Sequence, residues 1–253
     1  MKPFFKIILK FYLKILARIT LIIHRPTIIA IAGSANKTFV KDEIVRVLKK
    51  AGLEAGSNPK SFNTEIGLPL AILGLKSGYN SYRDWLPIVL KAASAPFRPD
   101  FPEYLVLELG VSSPGDMKYL LSIIRPTVAI ITEITQRYLE SFNDMDGLVS
   151  EYEYLVGRMD EGRPVILNYD NPRIRDMKDN TRGQVIFYSI RDDSEAIGWS
   201  ALGAAAEEDG QTATVSHGQD SFRVKIKKFG DHHLYALLAG LIVKDYVDQK
   251  KKF

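Results

Sequence analysis

The chain has 253 residues, 46% of them hydrophobic and 25% charged, with a formal net charge of +4. That apolar content supports one large core, or one core with a small appendage, and excludes a disordered chain. The absence of cysteine excludes a disulfide framework, a thiolate nucleophile and a cysteine zinc site, and the four histidines (His24, His217, His232, His233) lack metal-ligand spacing.

The cation excess sits largely at the two ends, Lys2 to Arg18 and Lys250 to Lys252. It is not a basic stripe with interleaved aromatics on a domain face, so no nucleic-acid partner is expected. A reduced, cytoplasmic setting fits this composition. Residues 4–23 are strongly apolar, with a cation every fourth residue at Lys2, Lys6, Lys10, Lys14 and Arg18. On a helix this spacing makes a slowly spiralling basic stripe. The charges recur too often for a spanning helix, and a secretory signal would have a shorter unbroken apolar run and a cleavage site. Two readings stay open. Residues 1–25 lie on an anionic membrane surface as an interfacial helix, or they pack on the domain and solvate their lysines. The dominance of Phe, Ile and Leu on the other face favours the membrane surface.

Arg25-Pro26 punctuates the end of that helix. Thr27 to Gly33 (TIIAIAG) is a β-branched apolar run ending in glycine, the pattern of a buried parallel strand. A helix follows over about Lys37 to Ala51, with Gly52 as its stop. Further buried strands are expected at Tyr104 to Leu109, Pro126 to Thr132 and Arg163 to Asn168, with helices at about Gly115 to Ile124 and Asp146 to Arg158. Strands alternating with helices imply crossover connections and a mostly parallel α/β sheet flanked by helices. From Gln184 onward the segments QVIFYSI, TATVSHG and SFRVKIKKF read as a small β-rich portion, a meander or edge sheet, before a last helix over His232 to Val247 interrupted by Gly240. One domain over residues 26–253, preceded by the basic helix of residues 1–25, is the simplest partition.

Gly33-Ser34-Ala35-Asn36-Lys37-Thr38 sits where a strand gives way to a helix. Unpaired N–H groups at a helix N-terminus favour anions. A lysine there reaches the β- and γ-phosphates of a nucleotide, and a following threonine hydroxyl ligates Mg²⁺. Glycine usually precedes that lysine. Asn36 stands here instead, and asparagine is the non-glycine residue that best tolerates positive φ. The competing reading is a strand-to-helix turn in which Thr38 caps the helix and Lys37 is solvated.

Further segments resemble the Mur ligases in that family's order over about residues 27–245. Lys60 to Leu70 (KSFNTEIGLPL) resembles the asparagine-rich loop after the phosphate-loop helix, closest to the branch that joins D-alanyl-D-alanine to a UDP-N-acetylmuramoyl-tripeptide. Val106-Leu107-Glu108-Leu109-Gly110 with Pro114-Gly115-Asp116 is similar to the glutamate strand and its turn. Leu167-Asn168-Tyr169-Asp170 is similar to a leucine–asparagine–x–aspartate turn, and Gly230-Asp231-His232 to a glycine–x–histidine helix start. The resemblance implies a P-loop ATP-binding domain. It implies that ATP activates a carboxylate as an acyl phosphate for attack by an amine, in peptidoglycan precursor synthesis. It further implies that Gly33, Ser34, Ala35, Asn36, Lys37 and Thr38 cradle ATP, that Thr38 and Glu108 ligate Mg²⁺, that Asn63 and Glu65 line the substrate side, and that His232 lies by the adenine. Lys37 and Glu108 are the expected catalytic residues.

Several positions depart from the family pattern. Tyr138 stands where a second-metal histidine is expected, and the Ser150 to Tyr154 stretch (SEYEY) lacks the lysine that is carbamoylated in the family, with Tyr152 as its best match. Glu151 or Glu153 offers a substitute oxygen ligand. Phe39, His233 and Ala236 replace smaller or amide residues around the nucleotide. An amino-terminal domain for the UDP-sugar and a carboxy-terminal domain for the amine are not recognised. Two functions follow: a ligase domain acting on a muramoyl-peptide with a partner chain or further sequence supplying those domains, and a non-catalytic nucleotide-binding scaffold at the inner membrane face.

Overall fold

The computed structural model describes residues 3–79, 81–136, 139–142, 144–194 and 197–251. Among these residues nine strands form one sheet. They are β1 (Thr27–Ala32), β2 (Ala55–Ser57), β3 (Tyr104–Glu108), β4 (Val128–Ile131), β5 (Pro164–Asn168), β6 (Gln184–Ser189), β7 (Trp199–Glu207), β8 (Gly210–His217) and β9 (Asp220–Ile226). Their order across the sheet is β2-β3-β1-β4-β5-β6-β7-β8-β9. Neighbours from β2 to β7 run parallel, and β7, β8 and β9 continue antiparallel. The central strands are buried on both faces, which is why they read as unbroken Ile, Val and Leu runs.

Among the described residues eight α-helices accompany the sheet: α1 (Pro3–His24), α2 (Lys37–Lys50), α3 (Gly67–Leu73), α4 (Tyr82–Ser94), α5 (Asp116–Leu121), α6 (Met145–Val156), α7 (Pro172–Arg175) and α8 (Asp231–Lys250). On one face α2 packs Val40, Ile44 and Leu48, and α8 packs Leu234, Leu238 and Ile242, into a single core with Ile29, Ile31, Val106 and Ile130 of the strands. Gly240 does not interrupt α8, which is continuous through it; it lies where that helix meets α2, and a Cβ there would lie 3.2 Å from the Glu43 side chain and 3.4 Å from Val47. On the other face α5 and α6 cover Leu105, Leu107, Ala129 and Leu167 with Met117, Leu120, Leu148 and Leu155.

Helix α1 forms a third layer. Its Leu9 and Leu13 join Leu70 and Leu73 of α3 and Trp85 of α4 in a separate small core, and Ala17 reaches the main one. The packed reading supposed solvated lysines; here they meet partners on the domain, although the Lys6 side chain stays half exposed. Lys6 pairs with Glu65 at 2.8 Å, Lys10 and Lys14 lie over the Tyr119 ring, and Lys14 donates to Ser122 at 2.6 Å.

The β-rich portion also differs from expectation. β6 pairs in parallel with β5 over five residues, Pro164↔Gln184 to Asn168↔Tyr188, so it extends the main sheet rather than starting a meander. β7 was not expected, because its Ala- and Gly-rich sequence carries no β-branched signal. β8 and β9 fall on the other two expected segments and pair antiparallel over Gln211↔Ile226 to His217↔Asp220.

Candidate functional site

Strand order reverses at β1, with β3 on one side and β4 on the other. The β1–α2 loop therefore leaves the sheet at its topological switch point, where open α/β sheets hold ligands. The loop is bound tightly to the segment after β4. Gly33 has φ +134°, and a Cβ there would sit 2.4 Å from Thr132 Oγ1 and 2.8 Å from the Glu133 carbonyl oxygen. The Ser34 N–H donates to that same carbonyl at 2.7 Å, and the Thr135 N–H donates to Ser34 Oγ at 2.6 Å. Thr132 Oγ1 donates to the Ala35 carbonyl at 2.6 Å. The 132–135 segment is in turn held by Asn168, which donates to the Thr132 carbonyl at 2.9 Å, and by Asn171, which donates to the Ile134 carbonyl at 3.1 Å.

Asn36 adopts φ 66°, ψ −4°, the left-handed conformation anticipated for it, and makes no side-chain cap. Lys37 is only 9% exposed, and its ammonium donates to the Gly33 carbonyl at 2.6 Å, across the mouth of the loop. Thr38 turns toward β3: its hydroxyl donates to Glu108 Oε2 at 2.9 Å, and Asn63 donates to Glu108 Oε1 at 3.0 Å. The residues expected to share Mg²⁺ thus converge, and their hydroxyl and carboxylate oxygens are the hard donors this ion takes along with water and phosphate oxygens. Among the described residues no group of three or more His, Cys, Asp or Glu is placed to hold a metal by itself. The donor set therefore fits a cation that arrives with phosphate.

Two residues missed in the sequence position Glu108. Asn58, 1% exposed, accepts from the Glu108 N–H at 2.9 Å and donates to its carbonyl at 2.9 Å. The buried ammonium of Lys41 donates to the Asn58 carbonyl at 2.9 Å. A lysine one turn after Lys37, on the buried side of an amphipathic helix beside Val40 and Ile44, is the signal that marks it.

His232 reaches this neighbourhood through Phe39, with ring centroids 4.4 Å apart, and His233 meets the same ring edge-on. A cleft of about 480 Å³ opens beside them, lined by Phe39, Asp42, Arg46, Lys228, His233 and Ala236 among others. Burial, the neighbouring His232 and Lys228 all hold the His233 pKa below the ordinary histidine value, and only Glu43 opposes them. Asp170 ties β6 to α8, accepting from Ser189 at 2.6 Å and from the Tyr235 hydroxyl at 2.9 Å.

Glu65 lines a small cavity with Thr64, Gly110, Asp116 and Tyr119. Its carboxylate is held by Lys6 of α1. Partial burial pushes its pKa up, but the Lys6 hydrogen bond, a backbone hydrogen bond and the Lys6 and Lys10 charges more than offset this, leaving it below the ordinary carboxylate value. The proposed substitutes for the missing lysine are also engaged elsewhere. Glu151 accepts from the N–H groups of Gly115 and Met117 at 2.6 and 2.8 Å, capping α5, and Glu153 accepts from Asn180 at 2.9 Å. Tyr152 is fully buried in the core. Tyr138 lies outside the described residues.

A parallel sheet with a clamped loop at its switch point, a lysine across that loop and a threonine–glutamate pair beside it defines a P-loop-type α/β domain. Residues 31–244 match the model of the Mur ligase middle domain, and the chain belongs to that family. It is 25% identical over 218 residues to the UDP-N-acetylmuramoyl-tripeptide--D-alanyl-D-alanine ligase of Buchnera aphidicola subsp. Baizongia pistaciae, covering 86% of this chain and 42% of that one. Against the ligase of the same name from Mycobacterium leprae it is 30% identical over 160 residues, 63% of this chain and 26% of that one. The MurF ligase of Thermotoga maritima, solved in complex with ADP, superposes with a TM-score of 0.74 at 24% identity, over 93% of this chain and 49% of that one. The chain thus spans less than half the length of these relatives.

Proposed function

We propose that this chain is the ATP-binding part of a Mur-type acid–amino-acid ligase of peptidoglycan precursor synthesis. The observation that carries this reading is the convergence of Lys37, Thr38 and Glu108 on one loop at the sheet's switch point. In this reading the N–H groups at the start of α2 receive the nucleotide phosphates, and Lys37 leaves the Gly33 carbonyl to meet the β/γ oxygens. Thr38 and Glu108 would hold Mg²⁺, which would supply positive charge against the transferred phosphoryl group. A substrate carboxylate oxygen attacks the γ-phosphorus and ADP leaves. An amine then attacks the acyl phosphate carbon, losing a proton, and inorganic phosphate leaves as the amide forms. Phe39 and His232 mark the base end of the nucleotide, and Asn63 orients Glu108 on the substrate side.

The acceptor in this reading is a muramoyl-peptide, met on the cytoplasmic side of the membrane. A partner chain or further sequence contributes the amine-binding region, and residues 1–25 make peripheral membrane contact. A second reading, a nucleotide-binding scaffold without ligase chemistry, is favoured by one observation: Glu151, Tyr152 and Glu153 are all committed to capping or core packing. The test is ADP release from Mg·ATP with a UDP-N-acetylmuramoyl-tripeptide and D-alanyl-D-alanine, with and without candidate partner chains. Release that requires both co-substrates supports the ligase. Mg·ATP binding without turnover under any of these conditions supports the scaffold.

A further inference from the structure

The lysine stripe of α1 faces the domain, which leaves a different face outward. At 100° per residue, Leu9, Leu13, Ala17 and Thr20 share the buried side, and the opposite side carries Phe4, Ile7, Ile8, Phe11, Ile15, Ile19 and Ile22, all exposed, with Phe4 at 74% and Phe11 at 66%. α4 extends this face. The seam between the two helices is marked by Tyr12, whose hydroxyl donates to the Val89 carbonyl at 2.9 Å. Rotating outward from the buried Trp85 and Ala92 of α4, one passes Val89 at the seam and then meets Leu86 and the 68% exposed Leu90. The outer rows of the two helices are therefore adjacent, and Phe97, 73% exposed, follows in the short turn after α4. Isolated exposed apolar residues are ordinary, but a contiguous apolar face of this extent marks an interaction surface.

Charge identifies what covers it. No Asp or Glu precedes Asp42 in the chain. On the side of α1 away from α4 lies a groove of about 380 Å³, with an apolar floor that includes Leu21, Ile22 and Ile124 and a rim of Arg18, Arg25 and Arg125, the last also paired with Asp160 at 2.8 Å. Arginine suits bidentate recognition of phosphate oxygens. Among the described residues no helix is long and apolar enough to cross a membrane.

We propose that the outer rows of α1 and α4 form one docking face that lies in the surface of an anionic phospholipid bilayer, with a lipid phosphate between Arg18, Arg25 and Arg125 and its acyl chain along the apolar floor. This rests on the peripheral-contact reading of residues 1–25 and extends it to α4 and the groove. The same pose leaves the inner face of α1 on the catalytic domain, where Lys6 holds Glu65 in the loop that carries Asn63.

The test is co-sedimentation of the full chain with phosphatidylglycerol–phosphatidylcholine vesicles and with pure phosphatidylcholine vesicles. Three paired variants are compared: Phe11→Ser with Ile15→Ser, Leu86→Ser with Leu90→Ser, and Arg18→Gln with Arg125→Gln. Thermal unfolding of each variant establishes that it is folded. Each apolar pair is expected to lower the partition constant onto anionic vesicles about tenfold or more, and the arginine pair to remove most of the preference for phosphatidylglycerol. Wild-type protein that ignores both vesicles overturns the membrane contact altogether. Binding lost with Phe11 and Ile15 but untouched by the α4 and arginine pairs leaves peripheral contact through α1 alone and overturns the composite face. A concentration-dependent dimer that the Phe11 and Ile15 pair abolishes, with no vesicle binding, assigns the face to a second copy and overturns the proposal.

Discussion

Asn36 occupies the position on which the phosphate loop turns. At φ 66° it pays part of the ~1–2 kcal/mol that an L-residue loses in the left-handed region, a penalty that asparagine softens and glycine lacks. Asn36→Gly should therefore leave stability within ~1 kcal/mol of wild type, because relief of strain is partly offset by a freer unfolded chain. Asn36→Val places a β-branched residue at the same φ and should lose ~1–2 kcal/mol, about 2–8 °C in Tm for a domain of this size. If that strain tips the loop toward another conformation by the same amount, the binding-competent fraction falls by about 5–30-fold, and apparent nucleotide affinity falls with it. Thermal unfolding and titration calorimetry with Mg·ATP measure the two effects. A valine variant with wild-type Tm and wild-type affinity would refute the claim that this backbone conformation is required.

Three further outcomes follow from the site. Glu108→Gln keeps the shape and the Asn63 contact but removes a charge, so Mg²⁺-dependent ATP affinity should drop by about 10–100-fold, the ~1.5–3 kcal/mol typical of a lost charged partner, while binding without Mg²⁺ changes little; calorimetry with and without the metal distinguishes the two. Gly33→Ala forces a Cβ against Thr132 Oγ1 and the Glu133 main chain and should cost ~2–4 kcal/mol in urea unfolding. His233 has a folded pKa below its unfolded value, so its contribution to stability is present above the ordinary histidine range and is lost as pH falls through the folded pKa. Tm followed from neutral pH downward should fall in wild type, and His233→Asn should flatten that part of the profile.

The central strands and the phosphate loop were legible because burial on both faces writes an unbroken apolar run, and because a glycine and a lysine punctuate the passage from β1 to α2. Glu108 was legible as a charge ending such a run. Residues whose roles depend on long-range contacts were not. Asn58 lies 50 positions from the carboxylate strand it clamps, and Lys6 reaches Glu65 only because α1 folds back over α3. β6 was legible as a strand, but its parallel pairing with β5 was not, because an apolar strand does not state the direction of its neighbour, and β7 was missed because alanine and glycine carry no strand signal. The amphipathicity of α1 was visible, but which face met the domain was not: Lys6, Lys10 and Lys14 meet partners on the domain, and the apolar row is exposed.

The claim that the β1–α2 loop is a working phosphate loop is tested most directly by calorimetric titration of Mg·ATP into wild type and Lys37→Ala, with thermal unfolding showing both folded. The account predicts saturable Mg·ATP binding by wild type and its loss in Lys37→Ala. A folded wild type that takes up no Mg·ATP, or a Lys37→Ala variant that binds as wild type does, would contradict it.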